Sequence, residues 1–390
     1  MRKYYSSLDL LRFLAALAVA FFFHYVIVFG ASPTTDNVVT NWINIHGGYV
    51  VELFFVVSGF AMYLAYSSRI REGKKLFGEY LVDRVIRLFP TLVISVVLTA
   101  IPMWIGYALW DESISNDSYV SLMAILLNLF GLNGGTAVSF FSSVNGPSWY
   151  IAVLMICYIL FFAIIKNCKG SKAAENVCFL FIILIGVFFY MNPTNAPFLF
   201  TACTRGYIFF FIGTFIAQLQ SRVKTLGNVI LCCISILMPL MYMFAKKHNL
   251  FMNESLEIGL FLVVPLVLFF INFKPLEFIS NNKVVKFLGG ISFGIFMWNL
   301  PVFIWVRFIN RLGDFDFDYG SITVYLIIVL INIAAGVLSY LLIDKAYTKF
   351  LKSKMYNKSD SKSETKVYKN TKAKAKTKAD NSEGETDDNQ

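Results

Sequence analysis

The 390-residue chain is 57% hydrophobic and 17% aromatic, and only 15% of its residues are charged, below the ~25% typical of a soluble domain. Apolar runs of about 20 residues recur along most of its length, as in membrane-spanning helices. The net charge of +10 does not indicate a nucleic-acid partner, because the lysines and arginines gather in loops and a tail, where they orient a membrane protein.

Ten membrane spans are predicted from these apolar runs. They lie near residues 9–29, 49–67, 88–110, 148–166, 177–192, 204–219, 226–244, 257–273, 287–307 and 321–343. The first run exceeds the ~7–15 apolar residues of a signal peptide, so we interpret it as a retained span. The predicted fold class is an all-α, polytopic membrane bundle of about ten helices.

A shorter apolar piece, residues 119–132, decides the topology. If it crossed the membrane, the cationic loops at 166–172 and 274–286 would lie outside. If it folds back or lies at the interface, they lie inside with both termini, in agreement with the positive-inside rule. We therefore expect cytoplasmic termini, with Lys246, Lys247, Arg307 and Arg311 left on the outer side.

Two regions are expected: a transmembrane domain over residues 1–350 and a lysine-rich cytoplasmic tail over 351–390. The tail lacks the apolar content needed to fold and is predicted to be disordered. The six cysteines lie in or beside apolar segments, and none has metal-ligand spacing with a histidine. We interpret them as packing residues and predict no metal site.

The first span carries three ionisable side chains, Asp9, Arg12 and His24. Such groups are costly inside a membrane and usually functional, and histidine loses its proton near neutral pH. Arg12 and His24 are predicted to lie about 18 Å apart along a helix and about 120° apart around it. They cannot bond directly, but a long anionic substrate could bind at Arg12 and present its reactive end to His24. The alternative is a surface arginine and a histidine paired within the bundle.

Two further candidate sites follow along the chain. One contains Glu52, and the other contains Arg84 and Arg87. Glu52 is predicted near the outer mouth of the second span, where it could orient His24 or a sugar hydroxyl. Arg84 and Arg87 share a helix face at a spacing of three, and paired guanidinium groups suit phosphate recognition. Ordinary cytoplasmic anchoring is the other interpretation of the two arginines.

Three later residues complete the candidate set for substrate binding or structure. Trp149 follows a Gly-Pro turn and fits an interfacial aromatic belt. Arg205, at the outer end of a later span, could bind an anion or acceptor, or reach the lipid headgroups. Asn299 lies just before a Leu-Pro pair in the ninth span.

Five segments in this order resemble the membrane acyltransferase-3 family over about residues 4–350. They are YYSSLDLLRFLAALAV followed by a histidine, VVELFFVVSGF, RVIRLFP, GPSW and LGGISFGIFMWNLP. The resemblance implies a bacterial plasma-membrane enzyme with ten helices. Such an enzyme transfers an acyl group, usually acetyl, from cytoplasmic acyl-CoA to a hydroxyl of a cell-surface or lipid-linked polysaccharide. It also implies that His24 is the essential histidine, Arg12 the basic residue of the same motif, and Arg84 and Arg87 the arginine motif.

The sequence departs from the family pattern at three places. Eleven residues separate Arg12 from His24, where the family usually has ten. One extra residue rotates His24 by ~100°, so either the helix carries a bulge or the pocket differs. Leu154 stands where many members have a glutamate, and Asn299 where many have a histidine.

The mechanism expected from the resemblance is O-acylation with acetyl-CoA as co-substrate and no permanently bound cofactor. Arg12, Arg84 and Arg87 bind the phosphates, and His24 acts as a general base or as a transient acyl carrier. A transporter or flippase for a glycan or lipid-linked saccharide is the main alternative. A membrane scaffold would leave the intramembrane Asp9, Arg12 and His24 unexplained.

Overall fold

The structure is a computed structural model that describes residues 4–34, 36–112, 121–133, 144–248, 254–347 and 349–350. Across these ranges the chain is helical and contains no strand. The described residues up to Tyr340 form one compact unit, and a second unit begins at Leu341. The disordered tail predicted for residues 351–390 lies outside the described residues.

The helices are numbered here in chain order. They are α1 (Ser7–Phe29), α2 (Val38–His46), α3 (Val51–Arg71), α4 (Phe77–Trp110), α5 (Leu122–Leu129), α6 (Ser148–Asn167), α7 (Lys172–Met191), α8 (Thr201–Gln220), α9 (Thr225–Lys247), α10 (Leu256–Asn272), α11 (Lys274–Ser280), α12 (Lys283–Gly313) and α13 (Ile322–Ser339). A 3₁₀ turn, Gly47–Val50, joins α2 to α3, and a π-helical stretch, Tyr340–Tyr347, follows α13.

The predicted all-α membrane bundle is confirmed. Among the described residues, nine helical stretches are long and apolar enough to span a membrane, and ten if α10 and α11, bent by 73°, count as one span. The helix that contains the third predicted span begins earlier than residue 88, because α4 starts at Phe77. Its first turns carry Glu79 and Asp83, which hide the helix from a purely apolar search.

Side-chain caps and left-handed residues set several helix ends. The side chain of Asn37 accepts hydrogen bonds from the amides of Val39 and Thr40 at the start of α2. Asn282 accepts one from the Val285 amide at the start of α12. Gly30, with φ of 70°, ends α1. These contacts satisfy amides that lack helical partners and supply the positive φ that glycine adopts most readily.

The helices divide into central and peripheral sets. In the most apolar window of α8, 78% of the residues are buried within the protein, against 17% in α9 and 22% in α7. The outward faces of α7 and α9 carry large apolar side chains such as Leu180, Val229 and Phe244. Because a soluble monomer rarely exposes so much apolar surface, these faces contact lipid.

Two glycines bring α3 and α8 into backbone contact. A Cβ atom at Gly59 would lie 1.8 Å from the carbonyl oxygen of Phe210, and one at Gly213 would lie 2.0 Å from that of Val56. Small residues allow this close approach in membrane proteins, where helices associate largely through van der Waals packing. Gly59 and Gly213 therefore let α3 and α8 pack backbone against backbone.

Contacts between α1 and α12 define the two ends of the bundle. Near the start of both helices, Gly289 packs against Asp9, and near their finish Arg307 donates to the Val28 carbonyl oxygen, 3.1 Å away. The two helices are therefore parallel. We call the end where α1 begins the lower end and the end where it finishes the upper end.

The parallel direction of α1 and α12 also indicates whether α5, which lies between α4 and α6 in the chain, crosses the membrane. Counting α10 and α11 as one span and leaving α5 out of the count, α12 is the ninth span and therefore runs parallel to α1, as observed. The described helix in this segment, α5, has eight residues, about 12 Å of rise against the ~30 Å of a bilayer core. The short length of α5 agrees with the parallel arrangement of α1 and α12.

The glycine contacts yield a stability prediction. Gly213→Ala should destabilise the protein by about 1–3 kcal/mol, because the added methyl group forces α3 and α8 apart. Gly78→Ala in α4 is the matched control, since its Cβ has no neighbour within 4 Å. Thermal unfolding of both purified variants in detergent checks this, and equal midpoints would contradict the close packing.

Candidate functional site

A π-helical stretch in α1 sets the position of His24. It covers Ala18–His24 and follows a regular α-helical start that contains Arg12. Bonds from i to i+5 take up more residues per turn than α-helical bonds, and such bulges are frequent at functional sites. Of the two alternatives for the extra residue between Arg12 and His24, the bulge is present.

Two glycines make room for this π-helical stretch. A Cβ atom at Gly47 would lie 2.8 Å from Phe23 Cβ, and one at Gly48 would lie 2.7 Å from Phe23 Cζ. The ring of Phe23 therefore lies directly on the 3₁₀ turn before α3. This packing fixes α1 against the 3₁₀ turn at Phe23, the residue that directly precedes His24.

His24 is hydrogen-bonded to a buried amide on α12. Its Nδ1 lies 3.0 Å from Oδ1 of Asn299, which is fully buried. The amide nitrogen of Asn299 donates to the Phe296 carbonyl oxygen at 2.6 Å, which leaves Oδ1 to face the histidine. An amide oxygen only accepts, so neutral His24 carries its proton on Nδ1 and has a lone pair on Nε2.

Glu52 forms a buried ion pair with Arg205. The carboxylate is 1% exposed and accepts two hydrogen bonds from Arg205, at 2.7 and 2.8 Å. Arg205 also donates to the Gly48 carbonyl oxygen at 2.7 Å, and its guanidinium carbon lies 4.9 Å from the centre of the Trp149 ring. A two-point pair of this kind fixes both side chains.

This arrangement corrects one expected role of Glu52. The orienting partner of His24 is Asn299, and both oxygens of Glu52 are bonded to Arg205. The interpretation that Glu52 orients the histidine is therefore wrong in this structure. Glu52 is instead the counter-ion that holds Arg205 beside Trp149.

A cavity of about 450 Å³ brings the upper residues together. His24, Trp149 and Arg205 line it, along with Gly146 and Pro147 of the turn before α6. Most of the other lining side chains are apolar: Phe23, Ile27, Val28, Ile45, Val51, Met103, Leu300 and Ile304. An apolar cavity with a few polar groups is typical of a ligand site.

Arg307 also lines this cavity and was not among the predicted site residues. In the predicted topology, Arg307 is a cation on the outer side of the membrane. That departure from the positive-inside pattern was the available sequence signal. An arginine on the outer side, where the positive-inside rule predicts few cations, indicates a role other than orienting the protein in the membrane.

The other predicted arginines, Arg12, Arg84 and Arg87, lie outside this cavity, at the lower end. Arg12 pairs with Asp9 one turn away, and Asp9 also accepts a hydrogen bond from Tyr4. Asp9 is 2% exposed and fits beneath Gly289, where a Cβ atom would lie 2.4 Å from Asp9 Cβ. Asp9 therefore anchors Arg12 and the start of α1 against α12.

Arg84 and Arg87 differ in their surroundings although they are neighbours on α4. Arg84 donates to the Tyr66 hydroxyl, with its guanidinium carbon 4.8 Å from the Tyr66 ring centre and 5.9 Å from that of Tyr158. Its Nε is buried with no hydrogen-bond partner in the described part of the chain. The Arg87 side chain is exposed.

Aromatic side chains fill the space between the two ends. The Phe296 ring centre lies 6.4 Å from that of His24, 5.4 Å from Phe54 and 5.8 Å from Tyr150. The Tyr150 hydroxyl lies 3.0 Å from the hydroxyl of Ser58. The predicted residues thus form two groups, one at each end, with this aromatic cluster between them.

Comparison with known proteins matches residues 5–341 to the acyltransferase-3 family, described as an acyltransferase domain. The chain is also 25% identical over 306 residues to a protein of Shigella phage Sf6 described as an O-acetyl transferase. That alignment covers 76% of this chain and 84% of the phage protein. No solved structure matches the chain.

The ion pair between Glu52 and Arg205 gives the second prediction. Glu52→Gln should destabilise the protein by about 3–5 kcal/mol, because it leaves the arginine charge buried without its counter-ion. Glu112→Gln removes the carboxylate from the exposed pair with Arg311 and should cost only about 0–1 kcal/mol. Thermal unfolding in detergent compares the two, and equal losses would contradict a special role for the buried pair.

Proposed function

The chain belongs to the acyltransferase-3 family, and from this premise we propose that it is a membrane O-acetyltransferase. It moves an acetyl group from cytoplasmic acetyl-CoA to a hydroxyl of a cell-surface or lipid-linked polysaccharide, in the plasma membrane of a bacterium. The observation that carries the proposal is the state of His24. It lines the cavity, Asn299 engages its Nδ1, and Nε2 has no hydrogen bond within the described residues.

In the proposed step, Nε2 of His24 accepts the proton of the acceptor hydroxyl as the oxygen attacks the thioester carbonyl carbon. The carbon–oxygen bond forms and the carbon–sulfur bond breaks. The proton on the imidazolium then passes to the departing thiolate, which gives CoA with a free thiol and the O-acetylated acceptor. Asn299 continues to accept from Nδ1 throughout, so the ring keeps one orientation while its charge changes.

The lower end provides the proposed site for the donor. Arg12, Arg84 and Arg87 lie there, and guanidinium groups bind phosphate through parallel hydrogen bonds. The Nε of Arg84 is buried without a hydrogen-bond partner among the described residues. This unused donor supports the proposal that Arg84 binds the anionic donor. Arg12, held by Asp9, and Arg87, exposed on α4, complete the set.

The thioester arm must pass the aromatic cluster to reach His24. One contact joins Arg84 to Tyr158, and a second series runs from Tyr150 to Phe296 and His24. We place the arm along this line, so that Tyr150 and Phe296 move aside when acetyl-CoA binds. The acceptor enters from the cavity at the upper end.

The third prediction concerns His24 and its partner. His24→Ala should lower acetyl transfer about 10²–10⁴-fold, the usual contribution of a general base. Asn299→Leu should lower kcat roughly tenfold without changing the KM for acetyl-CoA, since one hydrogen bond contributes about 0.5–1.5 kcal/mol. Transfer of radiolabelled acetyl groups from acetyl-CoA to glycan in isolated membranes measures both.

Matched controls are available on the same chain. His248→Ala changes an exposed histidine at the end of α9 and should retain activity. Asn332→Leu removes a buried amide without hydrogen-bond partners in the described ranges, so it should retain kcat. Full activity of His24→Ala would contradict the proposal. Absence of any acetyl-CoA binding by the unaltered protein would favour a transporter instead.

The fourth prediction concerns the π-helical stretch. Deleting Ala20 should convert it to regular α-helix and keep His24 facing α12, so acetyl transfer should persist. Inserting one alanine after Ala20 should rotate His24 by ~100° and abolish transfer. Both variants are assayed as above, with helix content checked by circular dichroism. If the deletion inactivates as completely as the insertion, the bulge does not absorb the extra residue.

A further inference from the structure

Arg307 lies on a stripe of α12 that faces the cavity. Leu300, Ile304 and Arg307 all line it, at the i, i+4 and i+7 spacing of one helix face. The guanidinium group donates to the Val28 carbonyl oxygen at 3.1 Å. This contact places the charged end of the side chain beside the last turn of α1.

Charges in the cavity do not cancel. The charge of Arg205 is balanced by Glu52 in a two-point ion pair. Among the described residues, Arg307 makes one hydrogen bond, to a backbone carbonyl, and has no ion pair. With His24 neutral, the cavity therefore carries about one positive charge among mainly apolar walls.

The distance between Arg307 and His24 matches one sugar unit of the acceptor. Val28 follows His24 by four residues in regular α-helix, so its carbonyl group lies about 6 Å farther along α1. Arg307, bonded to that carbonyl oxygen, therefore lies about one helical turn above the catalytic ring. This separation is comparable to the size of a sugar ring.

We infer that Arg307 binds an anionic group of the acceptor, a carboxylate or phosphate on the reacting sugar or on its immediate neighbour. The inference depends on the proposed function, because it specifies the acceptor of the same reaction. A charged group beside Arg307 forms a charge-assisted hydrogen bond in a cavity that screens it poorly. A neutral acceptor leaves the arginine charge unmatched.

The arrangement makes acceptor charge a source of selectivity. Arg307→Gln keeps a hydrogen-bond donor of similar shape but removes the charge, so it should lower O-acetylation roughly 10- to 100-fold. Arg307→Lys retains the charge and should retain more activity than Arg307→Gln. Arg311→Gln is the matched control, because Arg311 lies one turn away, pairs with exposed Glu112 and is not part of the cavity lining.

The experiment uses the full chain in a strain of its source organism that lacks the gene. Complementation with the original protein, His24→Ala, the two Arg307 variants and Arg311→Gln is followed by purification of the surface glycan. Nuclear magnetic resonance identifies the O-acetylated sugar and measures its acetyl content. Linkage analysis before and after phosphate release by hydrofluoric acid distinguishes a carboxylate from a phosphate on that sugar or its neighbour.

The expected result is an O-acetylated sugar with an anionic group on itself or its neighbour, and acetylation reduced by Arg307→Gln but not by Arg311→Gln. Acetylation on a neutral sugar with neutral neighbours would overturn the inference, even if Arg307→Gln failed to fold. Undiminished acetylation in a folded Arg307→Gln protein would also overturn it. Equal acetylation with the original protein and with His24→Ala would instead reject the proposed function.

Discussion

The contact line between α1 and α12 holds the whole candidate site in register. It contains Asp9 beneath Gly289 at the lower end, His24 bonded to Asn299 in the middle, and Val28 bonded to Arg307 at the upper end. A slip of one residue along either helix would turn each side chain by ~100° and separate all three pairs. The orientation of the histidine thus depends on packing along the entire helix pair.

At each end of the bundle, one arginine has no carboxylate partner among the described residues. At the upper end, Glu52 neutralises Arg205 and leaves Arg307 without a counter-ion among the described residues. At the lower end, Asp9 neutralises Arg12, while Arg84 rests on the ring and hydroxyl of Tyr66. Because unpaired charges are costly away from water, their retention at both ends fits a protein that binds two anionic ligands from opposite sides.

The sequence predicted the helical bundle well because apolar runs of membrane length carry a strong signal. It also selected His24, Trp149 and Arg205, which meet in one cavity. It assigned the wrong partner to the histidine, because the bond from His24 to Asn299 joins residues 275 positions apart, and hydropathy contains no information on helix register. Arg307 was noted but not selected, since only the assembled cavity brings it near His24.

Two departures from the family pattern meet at a single hydrogen bond. The extra residue before His24 is taken up in the π-helical stretch, and Asn299 occupies the position where many members have a histidine. A π turn is wider than an α turn, so it displaces the side chains it carries away from the helix axis. The short amide of Asn299 contacts Nδ1 in this arrangement. Restoring the family histidine at position 299 while the extra residue remains would crowd this contact.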